Sequence, residues 1–329
     1  MQARQLARRK RKELGQEPPR GYTLRDAWAL WKNLKRGRIV SYQDEKRRME
    51  RYIIDPLGNR QIDEITAPLV IQTVKSIERA GHQATLKRVL MRTREVMDLA
   101  VCAGYIQHNP IDRVSRVFAA PIVKPMPSVH WRELPSVMEL MKAAPPRTQL
   151  LFAWACLSLL RPIETVKVRW DWIKDDVLTI PASEMKKARE HRVPILRNMM
   201  AVLEEAKTLS PHPKSPLIWA GRAPGRHMSA QTLAKQFHST PLKGRLVAHG
   251  IRSIGRSWMA DHDATFEVAE ACLSHVAGSS VSCAYQRSDY LAQRRQLMTS
   301  WCEHVANCAQ EVGFLPSIFS TDRDLTADG

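Results

Sequence analysis

Three prolines within a dozen residues, Pro121, Pro125 and Pro127, divide this chain more firmly than any other feature. Each lacks a backbone donor and locks φ, so neither a helix nor a central strand runs through 118–129. That stretch holds no glycine, so it reads as an extended, semi-stiff connector. About 120 residues precede it and about 200 follow, enough for a core on each side. The expected layout is a basic N-terminal helix at 1–19, a helical domain at 20–117, a linker at 118–129, a second domain at 130–310 and a flexible tail at 311–329.

The first half carries repeated helix-start signals. Gln2 to Gly15 reads as a basic helix closed by Gly15 and Pro18-Pro19. Thr23 with Asp26 three residues on is a capping pattern, and Trp28, Leu30, Trp31 and Leu34 follow at mostly helical spacing. Ser41 opens a second helix to about Ile54, with a turn at Pro56–Asn59. A third begins at Thr66 and stops near Gly81; a fourth runs from about Ala84 to Cys102 before Gly104. Four helices on short loops predict a small bundle.

Beyond the linker, helices are expected at about 131–143 and 147–160. Arg169 to Ile195 changes character. Val177–Ile180 and His191–Ile195 read as short strands flanking a charged turn, and Trp170 and Trp172 share a face if that stretch is extended. Helices return from about 197 to 310, interrupted by a strand-like run at Leu217–Trp219. The fold class is therefore mainly α with a small β-sheet.

Charge and composition remove several classes. The 51 Lys and Arg against 33 Asp and Glu leave a net +18. Residues 1–125 hold 26 basic and 13 acidic side chains, a net +13, so the first half suits a polyanion such as nucleic acid. The longest apolar run, Leu150 to Leu160, has 11 residues and includes Ser158; a membrane span needs about 20, so no membrane role is expected. The basic N-terminus has no apolar signal core. Six scattered cysteines without a Cys-x-x-Cys pair read as structural thiols, and no metal or cofactor site is expected. Neither phosphate-loop nor dinucleotide glycine pattern is present.

The residues that can carry chemistry each have a bland reading. His249 and Arg252, three apart at a helix start, can share a face as an anion clamp or be an ordinary surface pair. Arg161 closes an apolar helix and either pairs with Glu164 for structure or turns toward a ligand phosphate. Lys186 lies in a charged turn that is either solvated or reaches a DNA groove. His275 is followed ten residues later by Tyr285.

In this order, Arg161, Lys186, His249-x-x-Arg252, His275 and Tyr285 resemble the catalytic set of the tyrosine recombinases, the phage integrase family. Leu160-Arg161-Pro162 with Glu164, Arg169-Trp170 with Ile173, and Met185-Lys186 through His191-Arg192-Val193-Pro194 are similar to strings of its prophage and genomic-island branch. Leu291 to Trp301 resembles the segment after the nucleophile. The resemblance covers roughly 20–305. It implies a core-type DNA-binding bundle and a mixed α/β catalytic domain. It implies cleavage by Tyr285 through a 3′-phosphotyrosyl intermediate, without metal or ATP. Arg161, Arg252, His249 and His275 would surround the phosphate, and Lys186 would be the acid for the leaving oxygen. Its implied partners are duplex recombination sites, a tetramer on synapsed DNA, a host bending protein and an excisionase, all in the cytoplasm. A catalytically idle DNA-binding relative and a topoisomerase-like relaxer remain alternatives. Two departures stand out. Only Gln2 to Pro19 resembles the closing helix of an arm-binding domain, and Ser158-Leu159 stands where many members have Thr-Gly.

Overall fold

The structure is a computed structural model describing residues 21–39, 41–120, 125–185, 188–275 and 289–319. The basic helix expected at Gln2–Gly15, Lys186 and Tyr285 lie outside the described residues. The chain separates into two compact units, Met1–Lys124 and Pro125–Gly329.

The first unit is a helical bundle. Helix α1 (Leu24–Lys35) starts on a capping box in which Thr23 accepts from the Asp26 N–H and Asp26 accepts from the Thr23 N–H at 2.7 Å. Leu24, Ala27, Trp28 and Trp31 are its buried residues, whereas Leu34 is exposed. The Trp28 and Trp31 rings stack at 4.7 Å. Helix α2 (Tyr42–Met49) does not stop near Ile54. It continues through a π turn, Glu50–Ile54, into one more α turn, Asp55–Leu57. The extra residue of the π turn leaves Ile53, Ile54 and Leu57 all buried. Helices α3 (Ala67–Arg79) and α4 (Gln83–Cys102) complete the bundle and bury Val70, Val74, Ile77 and Leu86 through Ala100 at helical spacing. Glu45 is buried but paired with Arg48 at 2.7 Å and Arg92 at 3.2 Å, which offsets its desolvation.

The second unit is built around α6 (Pro146–Ser158), packed by α8 (Arg197–Thr208), α9 (Thr232–His238), α10 (Gly250–Asp261) and α12 (Leu291–Glu311). Helix α6 is buried all round from Leu150 to Ser158, as a helix apolar on every face must be. Helix α5 (Leu134–Met141) follows a single 3₁₀ turn at Trp131–Glu133. The sheet is antiparallel, β1 (Ile173–Lys174), β2 (Val177–Ile180), β3 (His191–Pro194), with Leu178 opposite Val193 and Ile180 opposite His191. These four side chains are buried, the period-2 face of a sheet covered on one side.

Three expectations need correction. Trp170–Trp172 is a 3₁₀ turn, not extended backbone, so the two rings are not neighbours on a strand face. Leu217–Trp219 forms no strand. Leu217 makes one bridge to Arg169, the Ile218 N–H donates to the Val168 carbonyl at 3.1 Å and the Trp219 carbonyl accepts from Met228 at 2.7 Å, but these contacts do not extend into a ladder. Residues 311–319 do not form a free tail, because Phe314 and Phe319 are buried and Pro316–Phe319 makes a last short helix, α13. Two aromatic side chains in a polar tail outweigh its average composition. Residues 320–329 lie outside the described set. Of the cysteines, Cys156, Cys272, Cys302 and Cys308 are buried, with thiols pushed up by burial; Cys102 is exposed.

Helix α10 is held by two close approaches. At Gly250 an added Cβ would lie 2.5 Å from the Pro127 carbonyl oxygen, and Ser128 Oγ donates to the Gly250 carbonyl at 2.9 Å. The end of the proline segment thus docks on the first turn. At Gly255 a Cβ would lie 2.6 and 2.8 Å from the Leu159 methyls. Leu159 ends α6 in the left-handed region, φ 53°, where glycine is at ease and leucine costs about 1–2 kcal/mol. Its full burial in the space left by Gly255 offsets that cost.

Gly255→Ala should therefore destabilise the chain. Overpacking costs about 1–3 kcal/mol, and alanine in a helix returns about 1 kcal/mol, so a net loss of about 1 kcal/mol is expected in urea denaturation. A gain would show that Leu159 has room to move.

His191 gives a second stability test. Burial, then Arg294, Arg252, Arg161 and Arg189, hold its imidazole well below the usual range. The unfolded chain takes a proton near pH 6.5 that the folded chain refuses. Stability from this group is complete above about pH 6.5 and falls as pH drops, by at most about 1.4 kcal/mol per unit. His191→Gln should lose that acid-side slope relative to wild type; parallel curves would refute it.

Candidate active site

Arg161 owes its position to the residue after it. Pro162 is the first residue of α7 (Pro162–Lys167) and keeps Arg161 extended at the N-cap, φ −65°, ψ 149°. Glu164, at the third helical position, is buried. One carboxylate oxygen accepts the Arg161 backbone N–H at 3.0 Å and the other accepts Nη1 at 2.9 Å. Arg161 Nη2 donates to the Ser274 carbonyl at 3.2 Å. The structural pairing with Glu164 is thus real, and it also aims the guanidinium.

Arg252 lies in the first turn of α10 and is 3 % exposed. Its Nη1 donates to the Leu159 carbonyl, and its Nη2 donates to the Leu273 carbonyl and to His275 Nε2, the last at 3.0 Å. Burial, reinforced by the Arg161 charge, pulls Arg252 down to about 10, so it is still cationic at neutral pH. Its Nε has no partner among the described residues.

His249 is the N-cap of α10. Burial, then Arg252 and Arg161, lower its pKa, so both neighbours favour a neutral ring. His275 follows α11 (Phe266–Cys272), where Ser274 turns left-handed at φ 53° and the His275 N–H closes back on the Glu270 carbonyl at 2.9 Å. This is a Schellman-type closure. It brings His275 beside the Glu270 side chain, and Nδ1 and Oε2 lie 2.8 Å apart. Arg256 Nε donates to the other Glu270 oxygen at 2.8 Å. His275 is lowered chiefly by burial, with the Glu270 hydrogen bond opposing.

Arg161, His249, Arg252 and His275, predicted from widely separated strings, therefore meet. Arg161 and Arg252 bond adjacent carbonyls, Ser274 and Leu273, of one turn. Two guanidiniums and two neutral imidazoles, with Glu164 and Glu270 behind them, suit an anion with several oxygens. Lys186 and Tyr285 lie outside the described residues, but the flanks of both segments are anchored. Met185 is buried before Lys186, and after Tyr285 the Asp289 carboxylate accepts from Arg192 of β3 at 3.1 Å. Arg294, buried at the start of α12, donates to the Asp289 and Arg192 carbonyls.

Sequence reasoning missed Glu270, Arg256 and Arg294. Glu270 stands five residues before His275, a spacing without meaning in an unbroken helix; only the left-handed turn at Ser274 makes it a contact. Arg256 and Arg294 meet their partners across separate elements and leave no local signal.

Comparison with known proteins agrees with this geometry. A model of the phage integrase central domain matches residues 27–117, and one of the phage integrase family matches 129–291. The prophage integrase IntA of Escherichia coli K12 is 35% identical over 282 residues, 84% of this chain and 68% of that protein. The integrase of enterobacteria phage P4 is 23% identical over 84% of this chain and 66% of its own length. The chain thus spans about two thirds of these relatives. Among solved structures, a lambda integrase (75–356) dimer bound to a COC′ core site aligns with TM-score 0.62 and 16% identity, covering 82% of this chain and 96% of that one. A lambda integrase tetramer on a Holliday junction aligns with TM-score 0.64 and 15% identity, covering 83% and 79%. The Tn1549 transposon integrase in complex with circular intermediate DNA gives 0.58 and 12%, covering 83% and 99%. At such identities these structures attest the fold. With two consecutive family models and a 35% identical relative, the chain belongs to the phage integrase family, the tyrosine-type site-specific recombinases.

Proposed function

We propose that this chain cuts and rejoins duplex DNA at recombination sites, with Tyr285 as nucleophile. The observation that supports it best is the joining of Arg161, Arg252 and His275 on the single turn Leu273–His275, with His249 at the start of the Arg252 helix. In the proposed step the Tyr285 oxygen bonds to a DNA phosphorus and the bond to the 5′-oxygen breaks. The phenol proton passes to a neutral imidazole of the pocket, and the 5′-oxygen gains one from Lys186. The product is a 3′-phosphotyrosyl adduct and a free 5′-hydroxyl. The bond energy stays in the adduct, so rejoining needs no nucleotide. Arg161 and Arg252 neutralise the charge that grows on the non-bridging oxygens, and a preorganised pair of donors serves this without reorganisation. His249 and His275 bind the phosphate or move protons beside it.

The first unit, with most of the net positive charge, serves as the core-type DNA-binding domain, and 1–19 adds phosphate contacts. Residues 130–310 form the catalytic domain. The tetrameric lambda integrase on a Holliday junction supports an equivalent tetramer on synapsed DNA here. A host bending protein and an excisionase are the further partners in this reading, which places the chain in the cytoplasm on DNA. Among the described residues no helix is long and apolar enough to cross a membrane.

Tyr285→Phe should abolish the covalent adduct on a nicked suicide duplex and leave DNA affinity almost unchanged, because it removes one oxygen and no charge. Adduct formation by this variant would displace the nucleophile, with Tyr290 next to be tested. Arg161→Ala and Arg252→Ala should each slow cleavage by on the order of 10²-fold or more, as the loss of one oxyanion donor does. Binding without any adduct in the wild-type chain would favour an idle DNA-binding relative.

Lys186→Ala should be rescued by a better leaving group. A general acid matters while the departing oxygen needs a proton. A 5′-bridging phosphorothioate duplex should therefore be cleaved by this variant at nearly the wild-type rate, while normal DNA is not. Equal defects on both substrates would make Lys186 a strand-positioning residue, and rescue of Lys187→Ala instead would move the acid by one position.

A further inference from the structure

We propose that Glu270 is a positioning residue that, with Arg256, holds His275 with its proton on Nδ1 and leaves Nε2 as a hydrogen-bond acceptor for Arg252. The proposal rests on the recombinase reading of the site and goes beyond it, because it decides what one ring nitrogen can do.

Each donor around His275 must find its acceptor. Arg252 Nη2 carries two protons and no lone pair. One goes to the Leu273 carbonyl and the other faces His275 Nε2 at 3.0 Å. An N–H at Nε2 would oppose that proton, so Nε2 must present its lone pair. The ring is neutral, because an imidazolium would put a second proton on Nε2, against the Arg252 N–H. The single remaining proton therefore sits on Nδ1 and is donated to Glu270 Oε2 at 2.8 Å. Glu270 can accept it only because its second oxygen satisfies Arg256 Nε, also at 2.8 Å. Two donors converge on one side chain, and a carboxylate has an acceptor for each. The Schellman-type closure at Ser274 keeps the imidazole within reach. His275 thus accepts from Arg252 at Nε2 and helps to hold that guanidinium in place.

The carboxylate requirement provides the test. In Glu270→Gln, Arg256 claims the single amide oxygen and turns the NH₂ toward Nδ1. That favours a proton on Nε2 and sets it against Arg252. Removing the competitor with Arg256→Met lets the amide rotate and accept from Nδ1 again. Ring-nitrogen NMR on the full chain labelled with 15N-histidine, the signal identified by its loss in His275→Gln, should show the Nδ1 proton in wild type. That proton should move wholly or partly to Nε2 in Glu270→Gln and return in the double variant. Single-turnover cleavage of a suicide duplex should fall by about 10²-fold in Glu270→Gln, the lower end of what a displaced oxyanion donor such as Arg252 costs, with DNA affinity unchanged. It should recover by roughly tenfold or more when Arg256→Met is added. A wild-type proton on Nε2, a Glu270→Gln variant as fast as wild type, or no recovery in the double variant would overturn the proposal. Absence of an adduct in wild type would strike the recombinase reading instead, and the NMR result would still decide the tautomer.

Discussion

The site depends on one buried guanidinium. Arg252 ties together the end of α6, the turn after α11 and His275, each through its own N–H. A charge this deeply buried is costly unless every hydrogen-bond need around it is met. Here the cost is offset in part, Nε having no partner among the described residues, by carbonyls that helix ends leave without partners, those of Leu159 and Leu273. The same bonds that make burial tolerable fix where α6, α10 and α11 converge, so stability and chemistry share one set of contacts.

Around Arg252 the carboxylates act as orienting groups rather than reacting ones. Glu164 is buried beneath Arg161 and uses both oxygens on it, one for the backbone and one for the side chain. Glu270 uses one oxygen on Arg256 and the other on His275. Each acid stands behind a group that faces the open side, and each lowers the cost of gathering positive charge in one place. Arg161 and Arg252 still repel, which contributes to the lowered pKa of Arg252. An anion held between the two guanidiniums would relieve that repulsion.

Backbone strain supports the same arrangement. Leu159 and Ser274 both adopt left-handed conformations without being glycine, and both supply carbonyls, their own or an immediate neighbour's, to the two arginines. A left-handed residue at a helix end turns the chain sharply and exposes the last carbonyls sideways. Strained residues of this kind persist where surrounding packing over-determines them. At Leu159 that packing is the side chain seated against Gly255; at Ser274 it is the Glu270–His275 pair.

Much of this protein was legible as sequence. Prolines at 121, 125 and 127 announced a boundary, helix-start signals and glycine stops announced α1 to α4, and a long apolar run announced the central helix α6. These are local signals, because a helix start or an apolar face is written within a few residues. Arg161, His249, Arg252 and His275 were legible through their order and local strings, while their neighbours in space were not. Tertiary structure alone decided that Glu270 meets His275, that Arg256 meets Glu270, and that Leu159 takes a glycine-like conformation. It also turned Trp170–Trp172 into a 3₁₀ turn, left Leu217–Trp219 unpaired as a strand and folded Phe314 and Phe319 into the core. The physical reason is common to these cases. Each depends on what another element presents across a gap, whether a donor, a cavity or an open sheet edge. No local pattern of residues encodes the far side of that gap.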